Sequence, residues 1–334
     1  MSSIKKPILL DETGVQLVDT IKEALDESKL QTSALRTQAA MLSVIARGSM
    51  SNITSWRDIQ ALVRQGWARE VFHVGDQFVI KWTNKATGTV YDVPLDVVHF
   101  GDVKLANGQV VPGMYLQWHY GTYLGAANLG LEFDAPEPNN NISSIRSNGH
   151  HNWAHSAVRK WLNSKAEVGK WWSASTATDE EPANASALAG FMSGLEKDFL
   201  SVIGPIQVTT GCYAQIGTDT VAWQNETTFD TFFLPSLEQI YGVPQNEGEG
   251  EAFEYWRNIS GRTTPNPLGD ANKNPAFITY ALENSSKAVY IRLRSCKKVD
   301  ANPDRTFIIT GAGAISTLSA ANTTARFAPV CVVY

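Results

Sequence analysis

Asn152-Trp153-Ala154-His155-Ser156-Ala157-Val158-Arg159-Lys160-Trp161-Leu162-Asn163 carries two tryptophans in a capped, periodic run. Trp153, Val158, Trp161 and Leu162 recur at helical spacing, and Ser156 stands where a local cap is needed. The pattern predicts an amphipathic helix over 152–164. Two tryptophans on one face must be buried against another layer, so Trp153, Trp161 and Leu162 are expected to pin this helix to a sheet.

Working outward, the sheet is legible on both sides. Phe78-Val79-Ile80-Lys81-Trp82-Thr83 and Val90 to Val98 read as two strands joined through Asn84 to Gly88, with Met114 to Trp118 as a third. Residues 52–68 read as an amphipathic helix capped by Asn52 or Thr54, and 136–141 as a polar linker. A second helical stretch is expected from Asn184, carrying Leu188, Phe191, Met192, Leu195, Phe199, Leu200 and Ile203. Val208-Thr209-Thr210, Thr231 to Leu234, 277–280, 288–294, 306–310 and 326–333 read as short strands between long polar segments. Few helices, short strands and much irregular chain define an α+β domain whose loops are functional or held by one another.

Residues 1–50 differ. Val18, Ile21 and Leu25 share one helical face, and Leu35 and Leu42 continue it at seven-residue spacing. The stripe is too narrow for a core of its own. One or two helices ending at Arg47-Gly48-Ser49 are expected to pack on partner copies or on another protein. The domain division read here is 1–50, a helical attachment and assembly region, and 51–334. Within the latter, 51–100 is an opening helix plus hairpin and 101–334 the main body.

The helix at 152–163 begins an ordered series. It continues with Phe232-Phe233-Leu234-Pro235-Ser236-Leu237-Glu238, Glu254-Tyr255-Trp256, Arg292-Leu293-Arg294-Ser295 and Arg326-Phe327-Ala328-Pro329-Val330-Cys331-Val332-Val333. This series resembles an uncharacterised family encoded by bacteriophages and prophages of gut bacteria, whose members look like relatives of the C-type-lectin-like and formylglycine-generating-enzyme folds. The resemblance spans roughly residues 70–334. Lys6-Pro7-Ile8-Leu9-Leu10-Asp11-Glu12-Thr13-Gly14 resembles the opening of phage tail-region proteins. The resemblance implies N-terminal helices followed by a C-type-lectin-like domain, in which two or three helices brace a small twisted sheet and long loops form a displayed surface.

Composition excludes several functions. The chain has 334 residues, 43% of them hydrophobic, with 10 Trp, 10 Tyr and 13 Phe, enough for a core. Net charge is −5 and no basic stripe is present, so no nucleic-acid partner is expected. No apolar run approaches the ~20 residues of a membrane span, so no membrane insertion is expected. The run Ile8-Leu9-Leu10 after Lys5 and Lys6 is too short for a secretory signal, so synthesis in a cytoplasm is expected, which the resemblance implies is that of a bacterial host. Cys212, Cys296 and Cys331 are scattered and odd in number, and read as buried thiols.

The remaining constellations point away from catalysis. His151 and His155 share a helix face, but no recognised motif supplies a third metal ligand, and exposed histidines at a helix start are expected instead. Asp270-Ala271-Asn272-Lys273-Asn274 opens like a calcium loop, then places Pro275 and Ala281 where glycine and glutamate are required. Gly311 and Gly313 lack the third glycine of a dinucleotide site. Glu180 with Glu181, and Glu247 with Glu249 and Glu251, sit in polar stretches without an aromatic cleft pattern. Formylglycine-generating enzymes use a cysteine pair; Cys296 and Cys331, which stand in scaffold segments here, are read as core positions. No cofactor, metal or enzymatic activity is expected.

What remains is a recognition surface. Residues 312–326 are small and polar, and in phage proteins with a lectin-like fold this C-terminal region resembles the displayed binding face. The loops at 257–274 and 312–326 are expected to form it, with Tyr255, Trp256, Arg262, Ser316, Thr317, Ser319, Asn322, Thr323 and Arg326 as ligand-binding residues. The expected protein is an oligomeric virion component of the tail or fibre region, joined to other virion proteins through its N-terminal helices and binding a bacterial surface glycan or protein. A purely structural role, as capsid decoration or tail-tip component, and an enzyme acting on surface polysaccharide are the alternatives.

Overall fold

The computed structural model describes residues 20–32, 35, 55–122, 131–242, 248–260, 273–298 and 303–334. The chain divides into two compact units, 1–54 and 55–334. In the first, residues 20–32 form a helix (α1), and Ile21, Leu25, Leu30 and Leu35 are exposed. Lys6 to Gly14, Val18, Leu42 and Arg47 to Ser49 lie outside the described residues.

The second unit is α+β, with several small antiparallel sheets. The main sheet has the order β1 (Gln77–Thr83), β2 (Val90–Lys104), β3 (Val110–Trp118), β11 (Val330–Val333), all neighbours antiparallel. β11 is buried along its whole length and pairs Cys331 with Leu116. Helix α2 (Trp56–Arg64) opens the unit and lies on β3 and β11. Its cap is Ser55, whose side chain accepts from Asp58 N, rather than Asn52 or Thr54. Gln60 Nε2 then donates to the main-chain oxygen of Tyr334 over 2.7 Å, tying the start of the unit to its last residue.

Between Trp118 and Val330 the chain leaves this sheet and returns. It forms a long hairpin, β4 (Ile206–Gln215) with β5 (Val221–Asp230), and a short one, β6 (Thr279–Ala281) with β7 (Asn284–Val289). A three-stranded sheet has the order β10 (Ile315–Ser319), β9 (Arg305–Ile309), β8 (Ile291–Cys296). The segment 312–326, read as a loop, thus contains strand β10. Thr231 to Leu234 is no strand; only Phe233 bridges to Val330. The short helices are α3 (Ala68–Val71), α4 (Ser143–Asn148), α5 (Ala157–Leu162), α6 (Lys197–Leu200), α7 (Leu237–Tyr241) and α8 (Glu254–Ser260).

The stretch at 152–163 behaves as its pattern requires, over a shorter span. Ser156 caps α5 by accepting from Arg159 N, and Trp153, Val158, Trp161 and Leu162 are buried. The helix starts only at Ala157 because Asn152 Oδ1 takes the N–H of Ala154, which offers the backbone a turn instead. Trp153 Nε1 and Arg159 Nε both donate to Asp230, at 2.9 and 2.6 Å, fastening α5 to the end of β5. The core centres on Phe191. Trp82, Trp118, Trp161 and Phe232 surround its ring with centroids 4.9–5.6 Å away. Burying each such ring contributes about 1.5–3 kcal/mol.

Three expectations fail for physical reasons. The stretch from Asn184 is two 3-10 turns, Ala185–Ala187 and Phe191–Gly194, followed only by α6. Gly194 abuts β1 so closely that a Cβ would come 2.2 Å from Thr83 O; this approach, not helical periodicity, sets the backbone. The 136–141 segment is no solvated linker. Glu137 and Asn140 are buried, bonded to each other and to Thr178 and Gln215. His150 and His151 are not exposed: both are buried, and only His155 is partly accessible.

Candidate functional site

The residues expected to bind ligand separate into three groups. Trp256 is buried; its Nε1 donates to Gln117 Oε1 at 2.9 Å and its ring stacks on Phe277 at 5.6 Å, so it serves the core rather than a ligand. Tyr255 beside it is half-buried, and burial first and Asp96 second push its hydroxyl up to about 12. Arg326 is buried and held bidentately by Glu283. Ser316 and Thr323 are exposed, while Thr317, Ser319 and Asn322 are half-buried; these five share the β10 side of the three-stranded sheet. Asn322 Oδ1 accepts from Thr324 N and Oγ1, so it also shapes its own turn. Arg262 and most of the 257–274 loop lie outside the described residues.

The strand behind these residues is unusual. β8 carries Arg292 and Arg294, both fully buried. Arg292 donates to Thr306 Oγ1 and to the carbonyls of Leu318 and Asn322, holding the end of β10 and the turn after it. Arg294 donates to Thr210 Oγ1, Leu234 O, Gln239 Oε1 and Glu249 O. Burial lowers the two guanidinium groups, Arg292 to about 9 and Arg294 to about 10. From within β8 the two arginines clamp loops.

A cavity of about 210 Å³ lies beside Arg294. It is a slot between β2, β4 and the segment 248–253. A β-bulge builds one wall. Val97 pairs with Leu116 and His99 with Tyr115, so β2 carries one extra residue and its alternation is reset at His99. The rings of His99, Tyr115 and Phe253 then meet one another at 5.3–5.7 Å. Gly101 makes room for this wall, because a Cβ there would lie 2.8 Å from His99 Nε2. Asp102 and Glu251 stand exposed at the lip, and Gln207 and Thr209 enter from β4.

The electrostatics of the slot are defined by which groups are already committed. Glu249, deep inside, accepts from Gly211 N at 2.9 Å and from Ser295 Oγ. His99 is buried, and its Nδ1 has no hydrogen-bond partner among the described residues. Its nitrogens lie 3.5 Å from Glu254 and 3.6 Å from Glu251. Burial lowers its affinity for a proton, against the pull of Glu254 and Glu251, and pushes the Tyr115 hydroxyl up. The slot therefore offers neutral rings and carboxylate acceptors.

The sequence reading missed this site. It set Glu249 and Glu251 in a polar stretch without aromatics, whereas the fold brings Tyr115, Phe253 and Phe233 to them. The available signal was Val97-Val98-His99-Phe100, where strict alternation along β2 breaks. Among the described residues, no three His, Cys, Asp or Glu are grouped to hold a metal ion, and no helix is long and apolar enough to cross a membrane. His151 Nε2 instead accepts from Tyr213 N, and its Nδ1 lies 3.2 Å from Arg305 O.

No protein-family model, curated protein or solved structure matches the chain.

Proposed function

We propose that the chain is a virion protein of a phage tail or fibre region, whose domain from Ser55 onward is C-type-lectin-like and binds a glycan or protein on the bacterial surface. The N-terminal region attaches it to the particle and assembles it with further copies. One observation carries this reading: Gln60 holds Tyr334, and β11 seals against β3, so the chain between them forms loops and hairpins on a fixed frame. Buried arginines then fix those loops from beneath, as Arg292 does for the turn at Asn322. A rigid frame bearing polar side chains at its margin separates stability from recognition.

Binding is favoured over hydrolysis by the state of the slot. Surface-polysaccharide cleavage needs one protonated and one ionised carboxyl set across the sugar. Glu249, the acid inside the slot, is already engaged by Gly211 and Ser295. A purely structural role is separated by location and adsorption. Gold-labelled antibody raised against the chain, applied to intact particles, is expected to mark the tail end. Absence of label from particles overturns the reading, and label spread over the capsid supports decoration instead.

A further inference from the structure

We infer that the slot between β2, β4 and the 248–253 segment receives one uncharged sugar ring. The inference rests on the binding role proposed above but not on the location in a virion.

Size sets the first limit. At about 210 Å³ the slot lies below the ~300–1,000 Å³ of pockets for drug-sized ligands. It accommodates a single ring, as the terminal unit of a longer chain would present. The wall chemistry sets the second. Tyr115, backed by the buried Phe253, offers an apolar ring face to the C–H face of a pyranose, while Asp102 and Glu251 at the lip accept from hydroxyls. Hydrogen bonds to an ionised acceptor are roughly twice as strong as neutral ones, and adjacent hydroxyls can share one carboxylate. Gln207 and Thr209 add neutral donors on the opposite side.

Charge sets the third limit and selects among sugars. Arg294, the cation lining the slot, has its Nε and both Nη atoms donating to acceptors of the protein. Among the described residues that line the slot, a uronic or sialic acid would thus meet Asp102 and Glu251 and no uncommitted cation, and its desolvated carboxylate would be repelled. His99 supplies an independent sign that the slot is a site. It is buried, it lines the slot with its Nε2 3.6 Å from Glu251, and a β-bulge is what turns it there. Bulges gather where a side chain must be re-aimed.

Saturation-transfer NMR on the full chain tests this, using the methyl glycosides of glucose, galactose, mannose and N-acetylglucosamine, with methyl glucuronide as the acidic comparison. At least one neutral glycoside is expected to bind, and the glucuronide at least tenfold more weakly. Thr209→Trp, which fills the slot from β4, is expected to abolish the signal. Glu251→Gln, at a side chain 87% exposed, should leave the melting temperature unchanged and weaken binding several-fold. No transfer to any neutral glycoside, equal binding of the glucuronide, or full binding by a folded Glu251→Gln chain overturns the assignment. Adsorption of the same chain to bacterial cells keeps the two proposals apart. Adsorbing cells without binding glycosides removes the slot and leaves the receptor role standing. Binding glycosides without adsorbing to cells retains the slot and removes the receptor role.

Discussion

Arg326 grips Glu283 with both ends of its guanidinium, Nη1 to Oε2 and Nη2 to Oε1, each at 2.5 Å. The pair joins the turn after β6 to the approach of β11. It also decides what Arg326 is: a residue expected to meet ligand is 5% exposed and already committed. Arg326→Ala is expected to cost about 2–4 kcal/mol, and Glu283→Ala less, since that carboxylate is 39% exposed. The double variant should cost clearly less than the sum of the two. Additive losses in urea denaturation would show that the two side chains do not support each other.

Trp161 is 2% exposed, donates to Ala189 O at 2.8 Å and packs against Phe191. Trp161→Ala opens a cavity at the junction of α5 and the main sheet. A loss of about 3–5 kcal/mol is expected from denaturant midpoints. A change below 1 kcal/mol would mean that the ring does not brace the core.

His150 and His151 predict an acid-sensitive fold. Burial lowers His150 to about 4 and holds His151 well below the usual imidazole range, and both accept a backbone N–H, from Asn152 and Tyr213. Unfolded, each titrates near ~6.5. Between about pH 6.5 and 4 the unfolded chain therefore binds more protons, and stability falls as pH falls through that window. Asp134 and Glu132, whose carboxyls burial pushes up, and His119, raised by its hydrogen bond to Asp96, act with the opposite sign, while His99, lowered by burial, adds to the loss. The share of the buried pair, on the order of 1–3 kcal/mol from pH 7 to pH 5, should appear in urea midpoints as the part of the pH dependence that His150→Gln with His151→Gln removes. An unchanged profile in the folded double variant would contradict the neutral buried pair.

The fold was legible where side-chain periodicity alone sets the backbone. The strands read at 78–83 and 114–118, the cap at Ser156 and the core role of Trp161 follow from local pattern. It was illegible where distant chain intervenes. Gly194 pressing on Thr83 turns an apparent helix into 3-10 turns. Of the site, Ser316 and Thr323 are as exposed as their composition implies, whereas Trp256 is core because Gln117, far away in sequence, takes its N–H. The slot at His99 depends on one extra residue in β2, which pairing alone reveals.

The stripe on α1 predicts assembly. Ile21 and Leu25, one turn apart on α1, and Leu35 beyond it are between 54% and 64% exposed, an arrangement that burial against other copies would relieve. Sedimentation equilibrium should give an oligomer for the full chain and a monomer for a chain shortened to begin at Ser51. Equal masses for both would contradict this.

The display of small polar residues along β10 is tested most directly by adsorption. Fluorescent full-length chain should bind saturably to cells of the bacterial host, and Ser316→Ala, Thr317→Ala and Thr323→Ala together should reduce that binding while moving the melting curve by no more than ~0.5 kcal/mol. Asn322 stays, because it caps Thr324. Saturable adsorption of the full chain is the result expected of a receptor-binding virion protein; no saturable adsorption to any host strain, by a chain that remains folded, would contradict it.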